Sequence, residues 1–359
     1  MRVLAALLLV VLLTLTANAQ KAPEYKLPDG AKFTAEEVQI PVAETDASKA
    51  WNIAATLNTP SGEMPDGGWP ALFFISGSGM QNRHGFGGGL DCGSWETLDA
   101  IANAGFVVLR ADDRATGGTP VGPEGIDPTQ IGYMALVEDA RNCVKWLRGH
   151  KSVNKEKVFL VGHSEGGITA PILATEGLCA GIVCMAGPGR NMYDVIYEQV
   201  KDANAGVPAP TRIANLKVQK EFQDAVKEGR DPDFAILGKQ YAATLKALWE
   251  AQILPAKKWF NEHFNLDLPK IHAAVKCPVF VAQGNMDFQV KPVADGRLLA
   301  ANLLAGECKD VTFKLYDDLD HLFKPCNGRK SSLEMYGEDR RVSADYLKDV
   351  VAWLKARAQ

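Results

Sequence analysis

Short apolar runs of strand length alternate along the chain with longer segments of helical periodicity, and this alternation constrains the fold more than any other feature. The runs cover residues 72–75, 106–109, 158–161, 181–185 and 279–282. Continuous apolar runs are typical of strands that are covered on both faces, as in a parallel sheet. Parallel strands need crossover connections, which are usually helices. The order of elements therefore predicts an α/β fold whose mostly parallel sheet is flanked by helices.

The segments around these runs predict the connecting helices and the two edges of the sheet. Residues 131–147 place apolar side chains three or four positions apart, as an amphipathic crossover helix does, and residues 95–104 repeat the pattern more briefly. Residues 38–42 and 51–57 alternate between apolar and polar side chains, which favours an antiparallel pair at one edge. Residues 311–315 also alternate, and they are placed at the opposite edge.

One long region interrupts this order. Residues 191–263 show helical periodicity and no strand-like run. We predict a helical insertion over residues 191–268, which divides the α/β core into residues 20–190 and 269–359. Open α/β sheets bind ligands at the carboxyl ends of their strands, so the insertion is interpreted as a cap over that edge. An additional packing layer is the alternative.

The first 19 residues have the pattern of a secretory signal peptide. Arg2 precedes an almost unbroken apolar run over residues 3–13, and Ala17-Asn18-Ala19 has the small-x-small form of a cleavage site. A retained membrane anchor is the alternative, but a membrane span needs about 20 apolar residues. We therefore expect cleavage after residue 19, a secreted or periplasmic protein, and no stable membrane anchor after cleavage.

Charge and cysteine content limit the possible partners. The chain has 43 acidic and 39 basic residues, so it lacks the basic excess that binding to a nucleic-acid backbone requires. Seven cysteines leave at least one unpaired, and no cysteine or histidine spacing suggests a zinc site. Cys179 and Cys184 bracket one predicted strand and are too far apart to pair. Cys277 and Cys308 each precede a predicted strand and could meet at one edge.

A candidate nucleophile lies between a predicted strand and a predicted helix. The strand at residues 158–161 leads into Gly162-His163-Ser164-Glu165-Gly166, and an apolar helix follows at residues 168–174. Glycines on both sides of a G-x-S-x-G turn let the strand and helix approach closely while the serine occupies an exposed apex. The alternative is a glycine-rich turn with an incidental serine. We predict that Ser164 is a catalytic nucleophile.

A serine hydroxyl needs a base and an orienting acid, which follow the serine in the order acid, then base, in this kind of site. Asp287 lies just after the strand at residues 279–282, and His321 follows the strand at residues 311–316. We predict that Asp287 is the acid and His321 the base. Asp317, Asp318 and Asp320 are competitors for the acid, but each is very near His321 in sequence.

The remaining histidines receive other predictions. His84 lies in a loop near the predicted site and could contact substrate. His163 is next to the nucleophile, but its side chain should leave the turn in another direction. His150, His263 and His272 are on predicted helix ends or in the insertion, where we expect them at the surface.

Acyl transfer also needs backbone donors for the oxyanion. The strand at residues 72–75 ends in Ser76-Gly77-Ser78-Gly79-Met80, a glycine-rich turn at the same edge of the sheet. We predict that the backbone N–H groups of Ser78 and Glu165 form the oxyanion hole, with Gly79 as the substitute for Ser78. The alternative is that the glycines serve turn formation alone.

These elements together resemble the α/β-hydrolase superfamily, especially its serine aminopeptidase-like and esterase branch. The motifs are I-S-G-S-G-M at 75–80, L-R-A-D-D-R-A-T-G-G-T at 109–119, L-V-G-H-S-E-G-G at 160–167, G-N-M-D at 284–287 and D-H-L-F at 320–323. The resemblance covers about residues 35–355. It implies an eight-stranded sheet with a mobile lid, a serine nucleophile, and no metal or organic cofactor. Two positions depart from the pattern: Asn82 precedes Arg83 where relatives often have an acid, and Ala115 replaces a common glycine.

The sequence thus predicts a secreted serine hydrolase that cleaves carboxylic esters of small molecules through an acyl-enzyme. Cleavage of short peptides is an alternative on the same triad, in which Glu165 or another acid at the edge of the sheet could bind an N-terminal ammonium group. A hydrolase-like protein that binds a ligand without turnover is an alternative of another class. The sequence is silent on the natural substrate, the acyl-chain length and the oligomeric state.

Overall fold

The computed structural model describes residues 24–43 and 49–359 of the chain, so the predicted signal peptide lies outside the described residues. Eight strands form the main sheet, and two very short strands form a separate pair. The strands are β1 (Phe33–Val42), β2 (Trp51–Pro60), β3 (Trp69–Ile75), β4 (Phe86–Gly87), β5 (Leu90–Asp91), β6 (Val107–Ala111), β7 (Val153–His163), β8 (Gly181–Met185), β9 (Val279–Gly284) and β10 (Val311–Tyr316).

The main sheet has the order β1-β2-β6-β3-β7-β8-β9-β10. Strands β6, β3, β7, β8, β9 and β10 are parallel to one another, and β2, near one edge, pairs in antiparallel fashion with both β1 and β6. This confirms the predicted α/β-hydrolase fold with a mostly parallel eight-stranded sheet, its antiparallel edge pair and β10 at the opposite edge. Because the strands from β6 to β10 are parallel, the loops that follow β3, β7, β9 and β10 all emerge at one edge of the sheet.

Ten α-helices lie within the described residues. They are α1 (Ser94–Asn103), α2 (Tyr133–Arg148), α3 (Gly166–Thr175), α4 (Met192–Ala203), α5 (Ala209–Glu228), α6 (Ala242–Gln252), α7 (Lys257–Phe264), α8 (Leu268–Ala273), α9 (Leu298–Ala305) and α10 (Ala344–Ala358). Helix α2 buries Val137, Val144 and Leu147, as its predicted stripe requires. Met134, which the same stripe includes, is 42% exposed, so the buried part of the stripe begins at Val137.

The chain divides into two compact units. Among the described residues, one unit comprises 125–136 and 190–267, and the other comprises the rest. The first unit is helical, and its interior contains Phe222 and Trp249, whose rings meet edge to face at 5.2 Å. It includes residues 125–136 as well as the region in which we predict the insertion. The carboxylate of Glu262 accepts a hydrogen bond from the Met134 amide at 2.7 Å within this unit.

The second unit contains the sheet and its main hydrophobic core. Side chains of the central strands pack with apolar residues of α1 and α10, and most of them are fully buried. Trp353 of α10 contacts the rings of Phe159 and Phe280, at centroid distances of 6.4 and 6.0 Å. Each buried aromatic side chain of this kind contributes about 1.5 to 3 kcal/mol to stability through the hydrophobic effect. This packing fixes β7 and β9, whose ends carry two of the predicted site residues.

In residues 24–43 and 49–359, no helix has both the length and the apolar composition needed to span a membrane.

Candidate active site

Ser164 occupies the apex of the turn between β7 and α3. Its backbone has a φ of 54°, in the left-handed region that side chains other than glycine rarely adopt. The Ser164 amide donates to the carbonyl oxygen of Met185 at 2.8 Å, and the Gly167 amide donates to the carbonyl oxygen of Ser164 at 2.8 Å. A left-handed conformation costs roughly 1 to 2 kcal/mol, and these hydrogen bonds hold it. The serine is half-buried at the end of the strand.

Two glycines allow this turn to form. A Cβ atom at Gly162 would lie 2.0 Å from the carbonyl oxygen of Gly166, and one at Gly166 would lie 2.2 Å from the carbonyl oxygen of Ile75. Neither space can hold a methyl group beside rigid backbone. The strand and helix therefore approach as closely as the motif predicts.

Asp287 and His321 are hydrogen-bonded to each other. The Nδ1 atom of His321 lies 2.8 Å from Oδ2 of Asp287, and both side chains are almost completely buried. Strands β9 and β10 are parallel neighbours, so their ends bring the two residues together from 34 positions apart. A carboxylate that accepts a hydrogen bond from Nδ1–H leaves Nε2 unprotonated, so Nε2 can act as a base.

Backbone amides and a buried glutamine fix the Asp287 carboxylate. Oδ1 accepts from the amides of Gln289 at 2.8 Å and Val290 at 3.0 Å. Oδ2 accepts from Nε2 of Gln283 at 2.9 Å in addition to His321. Gln283 lies in β9 and is fully buried. The sequence offered no sign of this support, because an apolar strand with one amide side chain has several possible explanations.

The three competing aspartates have other partners. Asp320 forms a buried ion pair with Arg340, with 2.8 Å between Nη1 and Oδ2, and its Oδ1 accepts from two amides of its own turn. Asp318 likewise accepts from two nearby amides, and Asp317 accepts from a side-chain amide and is exposed. The geometry therefore favours Asp287 as the acid beside His321.

His163 connects the turn that carries Ser164 to the backbone of His321. Its Nε2–H donates to the carbonyl oxygen of His321 at 2.9 Å, and the two rings lie 4.7 Å apart. Burial lowers the pKa of His163 to about 3, so the ring is neutral and can hold this proton on Nε2. The sequence placed His163 next to Ser164 but carried no signal for this bond, which joins positions 158 residues apart.

The 76–81 loop follows β3 and passes beside Ser164. A Cβ atom at Gly77 would lie 3.1 Å from Cβ of Ser164, so the backbone of the loop is close to the serine at this point. Ser78 and Gly79 are exposed in this loop, and Glu165 is buried at the start of α3. The structure thus places the loop that carries Ser78 beside the turn that carries Glu165. Their role as oxyanion donors stays a prediction.

Asp113 holds both ends of the 76–81 loop. Its Oδ1 accepts from the hydroxyl of Ser76 at 2.7 Å, and its Oδ2 accepts from the amide of Gln81 at 2.9 Å. The Asp113 amide also donates to the carbonyl oxygen of Gln81 at 3.0 Å. Burial raises the pKa of Asp113 to about 7, and the nearby charges of Glu165 and Asp112 add to the increase. This residue was not singled out from the sequence.

The raised pKa of Asp113 predicts a pH-dependent stability that an Asp113→Asn variant lacks. The folded protein binds the Asp113 proton more tightly than the unfolded chain, so the free energy of unfolding falls as pH rises from about 4 to about 7. Asparagine can still accept from Gln81 and donate to Ser76. Between pH 5 and pH 8, the free energy of unfolding of the variant should increase by on the order of 2 kcal/mol relative to that of the wild type.

Urea unfolding of both proteins at several pH values measures this difference. Asp66→Asn is a matched control, because Asp66 is exposed. The difference in the free energy of unfolding between Asp113→Asn and wild type could be as independent of pH as the difference for the control. Asp113 would then be ionised at every pH tested, and the prediction would be wrong.

Two histidines outside the site are more buried than predicted. His263 and His272 are fully buried, which corrects the expectation that they lie at the surface. The ring of His263 packs against Tyr133 with 3.7 Å between centroids. His84 stacks on the ring of Tyr25 at 4.1 Å, and burial lowers its pKa to about 4. Ring packing by residues distant in sequence explains the burial of His84 and His263.

The two departures from the family pattern are accommodated by local structure. The guanidinium of Arg83 pairs with Asp112, with 2.6 Å between Nη2 and Oδ2, and the Arg83 amide also donates to this carboxylate. Oδ1 of Asn82 accepts from two amides of its own turn. Ala115 has a φ of 60°, which explains why glycine is common at this position in relatives.

The fold and these strand-end residues define the α/β-hydrolase class, and comparison with known proteins agrees. Residues 84–324 match the profile of the Alpha/beta hydrolase family, which is more than half of the chain, and the protein belongs to this family. Over 343 residues it is 24% identical to esterase EstD of Thermotoga maritima, covering 92% of this chain and 70% of EstD.

Solved structures of low sequence identity share the fold. The Pyrococcus furiosus esterase Pf2001 superposes with a TM-score of 0.59 at 14% identity, covering 94% of this chain and 97% of that one. The hypothetical protein PA2218 of Pseudomonas aeruginosa superposes with a TM-score of 0.55 at 15% identity, covering 92% and 96%. The match to the family profile confirms the resemblance to the α/β-hydrolase superfamily found in the motifs.

Proposed function

We propose that the protein is a serine hydrolase that cleaves carboxylic esters of small molecules through an acyl-enzyme. The observation that carries this proposal is the buried hydrogen bond between His321 and Asp287, on the same edge of the sheet as the strained Ser164 turn. The similarity to esterase EstD supports an ester as the substrate. A hydrolase-like protein that only binds a ligand has no chemical need for this arrangement.

In the proposed mechanism, Oγ of Ser164 attacks the carbonyl carbon of the ester while Nε2 of His321 accepts the serine proton. Asp287 holds the imidazole and stabilises its positive charge. The backbone N–H groups of Ser78 and Glu165 stabilise the tetrahedral oxyanion. His321 then gives its proton to the leaving alcohol, and water, activated by the same histidine, releases the acid.

The burial of Glu165 bears on the choice between ester and peptide. An N-terminal ammonium group needs an accessible carboxylate, whereas Glu165 is only 6% exposed at the start of α3. No other observation on the described residues favours a peptide terminus as ligand. Ester hydrolysis is therefore the function that we place first.

The test combines two substrate panels with covalent labelling. We expect release of p-nitrophenol from acetate, butyrate and octanoate esters, little or no release of p-nitroaniline from dipeptide anilides, and attachment of a fluorophosphonate to the peptide that contains Ser164. Faster turnover of the anilides would replace the ester proposal by a peptidase. Labelling without turnover of either panel would point to another substrate class, and neither labelling nor turnover would favour a ligand-binding protein.

The proposal includes export. The apolar run at residues 3–13 and the small residues 17–19 support a signal peptide that is removed before Gln20. N-terminal sequencing of the protein expressed from its full gene checks this. A protein that retains Met1 would contradict cleavage and leave the enzymatic proposal unchanged.

A further inference from the structure

Cys179 and Cys277 lie next to each other at the start of two neighbouring strands. Strands β8 and β9 are parallel, and Ile182 of β8 faces Val279 of β9. Continuing this register toward the start of each strand places Cys179 within one residue of facing Cys277. Neighbouring strands are about 4.8 Å apart and one residue spans about 3.3 Å along a strand, so Cα atoms offset by one residue are about 6 Å apart. This falls within the range of about 4.4 to 6.8 Å that a disulfide requires between Cα atoms.

The two thiols lie close enough to affect each other's ionisation. Their interaction raises the pKa of Cys179 and lowers the pKa of Cys277. Both residues are partly exposed, so a small oxidant can reach them. This arrangement differs from that of Cys143 and Cys184, which are buried.

Cys308, the partner considered from the sequence, has a different contact. Its thiol donates to the carbonyl oxygen of Cys277 at 3.1 Å, so it meets the backbone of Cys277. Cys308 is also only 2% exposed. Cys179, which precedes β8, is therefore the partner that we consider for Cys277, rather than Cys308 before β10.

We propose that Cys179 and Cys277 form a disulfide bond when the protein meets a disulfide oxidant such as oxidised glutathione. The bond closes a loop that contains all of residues 190–267 of the helical unit. It would constrain the unfolded chain and so stabilise the folded state. It lies at the opposite ends of the strands from Ser164 and Asp287, which follow the ends of β7 and β9. The oxidation state should therefore leave catalysis unchanged.

The chemistry is thiol–disulfide exchange. The neighbouring Cys179 thiol lowers the pKa of Cys277, which makes the Cys277 thiolate the first nucleophile. It attacks a sulfur of oxidised glutathione and releases one glutathione thiolate, leaving a mixed disulfide. The Cys179 sulfur, after losing its proton, attacks the Cys277 sulfur and releases the second glutathione. The two cysteines lose two electrons and two protons, and the oxidant becomes two thiols.

The experiment compares the purified protein in oxidised glutathione and in dithiothreitol. After alkylation of free thiols, peptide mass mapping should find one cross-linked pair, Cys179 with Cys277, in the oxidised sample only. The melting temperature should be several degrees higher in the oxidised sample, and kcat/KM for p-nitrophenyl butyrate should be the same in both. This test does not depend on export, and mapping does not depend on activity.

Variants separate the proposed pair from its neighbour. Cys179→Ser and Cys277→Ser should each abolish the redox-dependent shift in melting temperature, whereas Cys308→Ala should retain it. Full alkylation of Cys179 and Cys277 after oxidation, or a cross-link between Cys277 and Cys308, would overturn the proposal. Because mapping uses the wild-type protein, the result stands even where a variant fails to fold.

Discussion

Ser164→Ala is expected to lower kcat/KM for p-nitrophenyl esters by about 10⁵-fold or more, the loss seen when a triad nucleophile is removed. The variant keeps the backbone of the turn, because alanine tolerates the left-handed φ of 54° about as well as serine does. It loses only the oxygen that attacks the ester. Initial rates with p-nitrophenyl butyrate, measured at enzyme concentrations high enough to detect residual turnover, give the ratio.

The matched control is Ser61→Ala, which removes an exposed hydroxyl elsewhere on the same unit. It should retain full activity. The thermal unfolding midpoints of all three proteins should agree within a few degrees, which separates loss of chemistry from loss of folding. A Ser164→Ala protein with more than about 1% of wild-type kcat/KM would assign the hydrolysis to another nucleophile.

Asp287→Asn is expected to lower kcat by about 10⁴-fold with a small change in KM. The Asp287 carboxylate accepts at 2.8 Å from Nδ1 of His321, and so fixes the tautomer whose Nε2 can accept the serine proton. An asparagine whose Nδ2 faces the ring donates to Nδ1 and so favours the opposite tautomer. The amides of Gln289 and Val290 still meet an acceptor oxygen, so the loop after β9 should keep its conformation.

Asp317→Asn provides the comparison for this variant. Asp317 is near His321 in sequence but exposed, and it contacts the side chain of Asn285. Its kcat should stay within about twofold of wild type. Equal losses of kcat in the two variants would mean that Asp287 alone does not act as the acid. A loss of kcat below about tenfold in Asp287→Asn would remove Asp287 from the mechanism.

The sheet could be predicted because its central strands are buried on both faces. The run at residues 181–185 is apolar throughout, and the structure buries every residue of β8. Residues 125–136 show the limit of this approach. They cluster with the helical unit partly through the bond between Glu262 and the Met134 amide, which joins positions 128 residues apart. No local pattern encodes a contact of that kind.

The contrast between local patterns and long-range contacts also separates the predicted site residues from those that the sequence did not reveal. Ser164, Asp287 and His321 were predicted because each follows a recognisable strand in a fixed order. The hydrogen bonds of His163 to His321 and of Asp113 to Ser76 and Gln81 depend on which loops meet in space. A histidine in a turn or an aspartate after a strand has many roles, so only the folded structure shows which one it has.

The hydrogen bond between His163 and the carbonyl oxygen of His321 couples the backbone positions of Ser164 and His321. His163 is covalently joined to Ser164, so we expect a small displacement of the β7 end to carry the backbone of His321 with it. The distance between Ser164 and His321 should then vary less than the position of either residue. A transfer of these residues to another scaffold would lose this coordination unless His163 and its acceptor carbonyl are transferred together.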